Sequence, residues 1–160
     1  MRDLSYAKTP EDLPSREDAA QWTGLEYLQK TLTGEVLAPP IGGLMNFRLE
    51  AVEFGRAVFR GIPRFDAVNP SGTPHGGWYG ALLDSVMATA IMSRSGKGQT
   101  YTTLEYKVNI IRPVPLGMEV EAVSTAHHVG RTTGVADAIL RGVEDGKVYA
   151  TGSTTCMRIE

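Results

Sequence analysis

The chain has 160 residues, 42% of them apolar and 21% charged, with a net charge of −2. That length suits one domain with a full core, and the scattered lysines and arginines exclude a basic stripe of the kind that grips nucleic acid. A single cysteine excludes an internal disulfide, the three histidines add no metal-ligand spacing, and no run has the form of a bilayer span or a secretory leader, so a cytoplasmic, metal-free protein is expected.

Residues 1–14 hold two prolines and several charges and read as a loose arm. Ser15 to Asp18 resembles a capping box, and Ala19, Trp22, Leu25, Leu28 and Leu32 follow at helical spacing, which predicts one helix over 16–32 closed by Gly34. The Pro39-Pro40 and Gly42-Gly43 pairs mark a loop. Strand patterning begins with Met45, Phe47, Leu49 and Ala51 on one face, turns at Gly55 and returns over 56–62. A proline-rich loop over 63–75 leads into an apolar helix predicted for 76–93.

Four more strands follow that helix. In the first, Leu104, Tyr106, Val108 and Ile110 share a face opposite Glu105, Lys107 and Asn109, and Pro113 and Pro115 end it. Segments 119–128, 132–143 and 148–159 complete the set, joined by turns at 129–131 and 144–147, the second with an Asp-Gly signal. Hairpin-linked strands imply an antiparallel sheet, and a helix apolar on nearly every side must be surrounded. The expected fold is α+β: a curved antiparallel sheet of about six strands wrapped around one long helix, the hotdog architecture, with an extra N-terminal helix. The expected division is an N-terminal arm and helix over 1–43 and the hotdog domain over 44–160.

Two features of the stretch PHGGWYGALLDSVMATA, residues 74–90, point to chemistry. The helix opens on Gly76-Gly77, and its one charge is Asp84. A helix N-terminus presents unpaired N–H groups and partial positive charge, and glycines there admit a ligand close to the backbone. Such a terminus suits either a carbonyl oxygen gaining negative charge or a phosphate. A carboxylate among Leu82, Leu83, Val86 and Met87 costs several kcal/mol unless paired or protonated, which favours a functional Asp84 over a solvent-facing one. Eight residues of helix separate Gly76 from Asp84 by roughly 12 Å, too far for both to meet one carbonyl carbon. If both serve one reaction, two antiparallel copies of the helix must share the site across a twofold axis.

The stretch NPSGTPHGGWYGALLD, residues 69–84, closely resembles the N-x-x-G-x-x-H-G-G-x-x-x-x-L-x-D signature of hotdog-fold acyl-CoA thioesterases, and among them the PaaI-like group related to phenylacetate pathways. Asn109 to Gly117 is similar to that family's strand-ending RPV turn, and Gly130-Arg131-Thr132 to a later turn; the resemblance covers residues 44–160. It implies hydrolysis of an acyl-CoA to acid and CoA, with CoA as part of the substrate and no cofactor. The Gly76 amide would polarise the thioester carbonyl, and Asp84 of the opposite subunit would act as nucleophile or general base. His75 would shape that corner, Asn69 would position substrate or water, and Thr103 would assist the water, although the adjacent Thr102 competes for that place. Gly77, Arg112 and Arg131 would contact substrate, the arginines through CoA phosphates. The partners implied are a small-molecule acyl-CoA and a second copy of the chain, with pairing of dimers into tetramers, and neither nucleic acid nor membrane.

Each residue also has an ordinary structural use. His75 can cap the helix, Asn69 before Pro70 fits turn chemistry, Thr103 fits a strand, and arginines are commonly solvated. Trp78, Tyr79, Met87 and Met92 fit the core or an interface, and His127 and His128 a strand surface. Two other functions share the fold: an acyl-CoA-binding protein without turnover, and an enoyl-thioester hydratase or dehydratase.

Overall fold

The computed structural model describes residues 4–159. The elements in chain order are α1 (Arg16–Ala19), α2 (Gly24–Thr33), α3 (Pro40–Met45), β1 (Phe47–Glu53), β2 (Arg56–Gly61), α4 (Gly76–Met92), β3 (Thr100–Ile110), β4 (Val120–Val129), β5 (Thr133–Gly142) and β6 (Val148–Ile159). Six strands form one sheet in the order β1-β2-β4-β5-β6-β3, and every neighbouring pair is antiparallel. The expected hotdog arrangement is present: α4 lies against one face of the curved sheet, with the N-terminal helices beyond it. Among the described residues no helix is long and apolar enough to cross a membrane, and no group of three or more His, Cys, Asp or Glu gathers as a metal site.

Size complementarity seats the helix. Leu82, Leu83, Val86, Met87 and Ile91 of α4 are fully buried. The strands meet them with small inward residues, Ala122, Ala136, Ala138, Ala150 and Gly152. A Cβ added at Gly152 would lie 3.2 Å from Met87 Cε, so a larger residue there would push the helix outward. Fully burying each of these large helix side chains contributes about 1.5–3 kcal/mol.

Four expectations need correction. The helix expected over 16–32 is two pieces broken over residues 20–23. Thr23 and Glu26 form a second capping box, Glu26 N donating to Thr23 Oγ1 at 3.3 Å and Thr23 N to Glu26 Oε2 at 2.7 Å, and this local bonding outcompetes the continuous helical period. The arm is ordered rather than loose in its described part: Tyr6 bridges to Ala38, Ala7 N donates to Ala38 O, and Ala38 N to Ser5 O. Its first three residues lie outside the described chain. The loop expected at 39–43 is largely α3, with Pro40 at its first position, where a missing N–H costs nothing.

The fourth correction is alternation in two strands. A bulge between Leu49 and Ala51 of β1 turns Val52 rather than Ala51 inward, while Met45 belongs to α3. A second bulge lies in β3, where Thr103 pairs with Cys156 and Glu105 with the next residue, Thr155. Two residues there oppose one, so Thr103 joins Tyr106, Val108 and Ile110 on the face towards α4 and Leu104 leaves it.

Gly24 is where α2 meets α4. A side chain there would collide with the Met92 carbonyl oxygen, and Gly24 N donates to Ser95 O at 3.1 Å. Gly24→Ala should therefore lower stability by about 1–3 kcal/mol, read as a fall in the urea midpoint with unchanged slope.

Candidate active site

The loop before α4 is built to deliver its N-terminus. Asn69 Oδ1 accepts from Ser71 N at 2.9 Å and Thr73 N at 3.3 Å, while its Nδ2 donates to Thr73 Oγ1 at 2.9 Å. Asn69 thus closes its own turn, and the chain returns through a Val68–Pro74 bridge with His75 N donating to Ala67 O at 2.8 Å. His75 is the N-cap of α4, its Nδ1 accepting from Gly77 N at 2.8 Å. Two further anchors hold this end: Trp78 Nε1 donates to Met45 O at 2.8 Å, and Val114 N donates to Tyr79 Oη at 2.8 Å. Burial pushes the Tyr79 phenol up, so the anchor stays an uncharged acceptor.

These bonds leave one amide unused. Gly77 N–H is taken by His75, whereas Gly76 N–H, at the first helical position, has no partner among the described residues. Gly76 is exposed, and a Cβ there would meet only Ile110 Cδ1, at 3.8 Å. The expected contribution of Gly77 to substrate binding therefore cannot pass through its amide while His75 holds it.

Asp84 lies two turns further along, half-buried. Its Oδ1 accepts from Thr103 Oγ1 at 2.8 Å, a bond the β3 bulge makes available by turning Thr103 inward. Thr102 is exposed on the opposite face. One carboxylate oxygen is thus held and the other is left for chemistry. Cys156 Sγ sits 3.8 Å from Thr103 Oγ1, and burial pushes its thiol up, which keeps it protonated and unreactive. Asp84 is less pressed by apolar neighbours than its sequence setting implied, because Ala81, Ser85, Ala88 and Thr89 share the small, half-buried side of α4.

Within one chain the groups form two separate clusters. Asn69, His75, Gly76 and Arg112 belong to one end, where the Arg112 guanidinium lies 6.0 Å from the Tyr149 ring centre. Asp84 and Thr103 belong to the other cluster. Arg131 sits in the β4–β5 turn beside the start of β3, where Tyr101 Oη donates to Gly130 O at 2.6 Å, about 30 Å of strand from Ile110. Sequence reasoning missed the cavity of about 550 Å³ that opens beside Asp84 and is lined by α4, β1, β2 and the N-terminal segment. No motif marks such a space; only the small residues at Ser85, Ala88 and Thr89 hinted at it.

With this geometry in view, the comparisons with known proteins agree on a family. The family model described as the thioesterase superfamily matches residues 71–149, the span from the loop before α4 into β6. A conserved protein of known structure from Pseudomonas aeruginosa is 31% identical, over 74% of this chain and 93% of that one, with a TM-score of 0.69. A candidate thioesterase related to phenylacetic acid degradation, from Ralstonia eutropha, is 28% identical, over 82% and 98%, with a TM-score of 0.74. A Caenorhabditis elegans protein described as a candidate esterase is 33% identical over 88 residues, which is 55% of this chain and 52% of that protein. The chain thus spans about half the length of that curated relative. The chain belongs to the thioesterase superfamily, and the structures it resembles include PaaI-like proteins of phenylacetic acid degradation.

The cap assignment has a measurable cost. His75→Ala strips the Gly77 amide of its acceptor and should lower stability by about 1 kcal/mol, while His75→Asn, whose side chain can still cap, should lose only a few tenths. Denaturant unfolding of the two variants side by side checks this.

Proposed function

We propose that the protein is an acyl-CoA thioesterase, active as a homodimer whose two sites each combine the Gly76 amide of one protomer with Asp84 and Thr103 of the other. The observation that carries this reading is the separation on α4 of a free amide donor from an oriented carboxylate. Each is equipped for one half of thioester hydrolysis, and neither reaches the other's place.

The edge of the sheet supports the pairing. β3 is a terminal strand of eleven residues, and Leu104, Ile110 and the following Ile111 are 55%, 47% and 51% exposed. A long apolar edge of this kind invites a second copy. Exchanging Gly76 with Asp84 across a twofold axis centres that axis on Gly80. Exchanging their strand neighbours, Ile110 and Thr103, centres it between Tyr106 and Lys107. A Cβ on Gly80 would lie 3.0 Å from Tyr106 Oη, so the two centres are neighbours and one axis passing beside both serves both exchanges. The same pairing sets Tyr101, and with it the partner's Arg131 turn, against Arg112, so that two cations from different protomers flank the Gly76 end. They suit the phosphates of CoA.

In this arrangement the thioester oxygen accepts from Gly76 N–H, at the positive end of α4. Thr103 holds one oxygen of Asp84. The other removes a proton from water as the water oxygen bonds to the carbonyl carbon, or it bonds to that carbon itself and gives an anhydride that water then opens. Collapse of the tetrahedral adduct breaks the C–S bond, and the proton ends on the CoA sulfur. Binding without turnover does not need an oriented carboxylate. Hydration of an enoyl thioester needs an imidazole that takes up a proton, whereas the Gly77 amide on His75 Nδ1 puts the neutral ring's proton on Nε2, a donor and not a base.

Release of free thiol from acyl-CoA tests the reading. Asp84→Asn should cut kcat by roughly 10²–10⁴-fold without loss of fold. Gly76→Pro deletes the proposed amide donor at a position that tolerates proline, after a residue already extended at φ −63 and ψ 145, and should cut kcat by about 10²–10³-fold. Full turnover in either variant contradicts the proposal.

A further inference from the structure

The N-terminal segment, outside the span of the family model, closes the roof of the cavity beside Asp84. Resting on the thioesterase reading, we infer that residues 4–46 form the acyl-specificity element of this chain. Together with α4, β1 and β2 they line a chamber for an apolar acyl tail of about ten carbons, housed in the protomer that supplies the carboxylate.

The chamber has a floor, a roof and a direction. Its floor is the small side of α4: Asp84, Ala88 and Met92 stand at i, i+4 and i+8 and so on one line, with Ser85 and Thr89 beside them. Its roof is Leu28 and Tyr27 of α2, and β1 and β2 supply Phe47, Leu49 and Phe59 as an apolar wall. Two charged residues border it. Arg48 turns its guanidinium to Glu50 at 3.1 Å and Glu119 at 3.2 Å, on the other face of the sheet. Asp84 is therefore the charge at the chamber itself, standing at one end of the line. A carbonyl carbon placed at Asp84 sends its substituent along α4 over Ala88 to Met92, a run of about 12 Å.

Volume and lining set the class of substituent. A dry apolar cavity of about 150 Å³ holds one benzene, so 550 Å³ leaves room for several times that amount of carbon, and the length along α4 limits an extended chain to about ten atoms. The aromatic and aliphatic wall offers no buried cation for a charged tail. Short acyl groups would leave most of the wall unfilled and forgo its dispersion and desolvation energy.

The test is thiol release over acetyl-, hexanoyl-, decanoyl- and hexadecanoyl-CoA, with calorimetric titration of decanoate as a readout independent of turnover. Wild type should prefer decanoyl over acetyl by at least thirtyfold in kcat/KM and should bind decanoate. Ala88→Leu, which fills the floor, should lower the decanoyl-to-acetyl ratio at least tenfold and abolish decanoate binding. Leu28→Ala, which enlarges the roof, should move the optimum towards hexadecanoyl and reports even if the first variant folds poorly. An unchanged chain-length profile in both folded variants overturns the chamber. Decanoate binding sensitive to Ala88→Leu, with no hydrolysis of any acyl-CoA, upholds the chamber and overturns the thioesterase reading instead.

Discussion

Gly76 and Asp84 ride on one rigid helix, and eight residues of α-helix fix their separation at about 12 Å. Packing and anchoring hold that helix in place. Bulky residues of α4 lie against small residues of β4, β5 and β6, so the helix can neither slide nor tilt without opening voids. His75, Trp78 and Tyr79 pin its first turn by three hydrogen bonds to backbone N–H or C=O groups. The same cap that stabilises the helix also takes the Gly77 amide, while the exposed Gly76 amide has no partner among the described residues.

The second constraint comes from the sheet. A bulge in β3 turns Thr103 towards Asp84 and leaves a long, partly apolar strand at the edge. One local irregularity thus orients the carboxylate, and the strand that carries it presents the surface on which a second copy is proposed to complete the site. The N-terminal segment adds a third layer. Its packing through Gly24 brings α2 close to α4 and puts Tyr27 and Leu28 on the wall of the cavity beside Asp84.

Much of this was legible in the sequence because it rests on local signals. Glycines before an apolar run, one carboxylate within it, and strands punctuated by Gly55, Asp145-Gly146 and Pro113 gave the element order and the hotdog fold. Helix geometry alone separated Gly76 from Asp84. Five features escaped, the ordered arm and α3 among them. The break at residues 20–23 was hidden because apolar residues kept helical spacing across it, while the Thr23–Glu26 box starts a new helix there. The bulges at Leu49/Ala51 and Thr103/Glu105 are one-residue register changes that depend on partner strands, so strict alternation misassigned Ala51 and Leu104. The choice of Thr103 over Thr102 followed from the second bulge. The chamber depends on long-range packing of residues 4–46 over α4, for which no short motif exists.

The sharing of each site between two protomers is tested most directly by mixing two inactive variants, Asp84→Asn and Gly76→Pro, unfolded together and refolded in equal amounts. Half of the dimers then carry one variant of each kind, and in each of those one site holds both defects while the other holds none. The account predicts recovery of about a quarter of wild-type thiol release from acyl-CoA. A mixture no more active than its parents, with subunit exchange verified by mass, would contradict it.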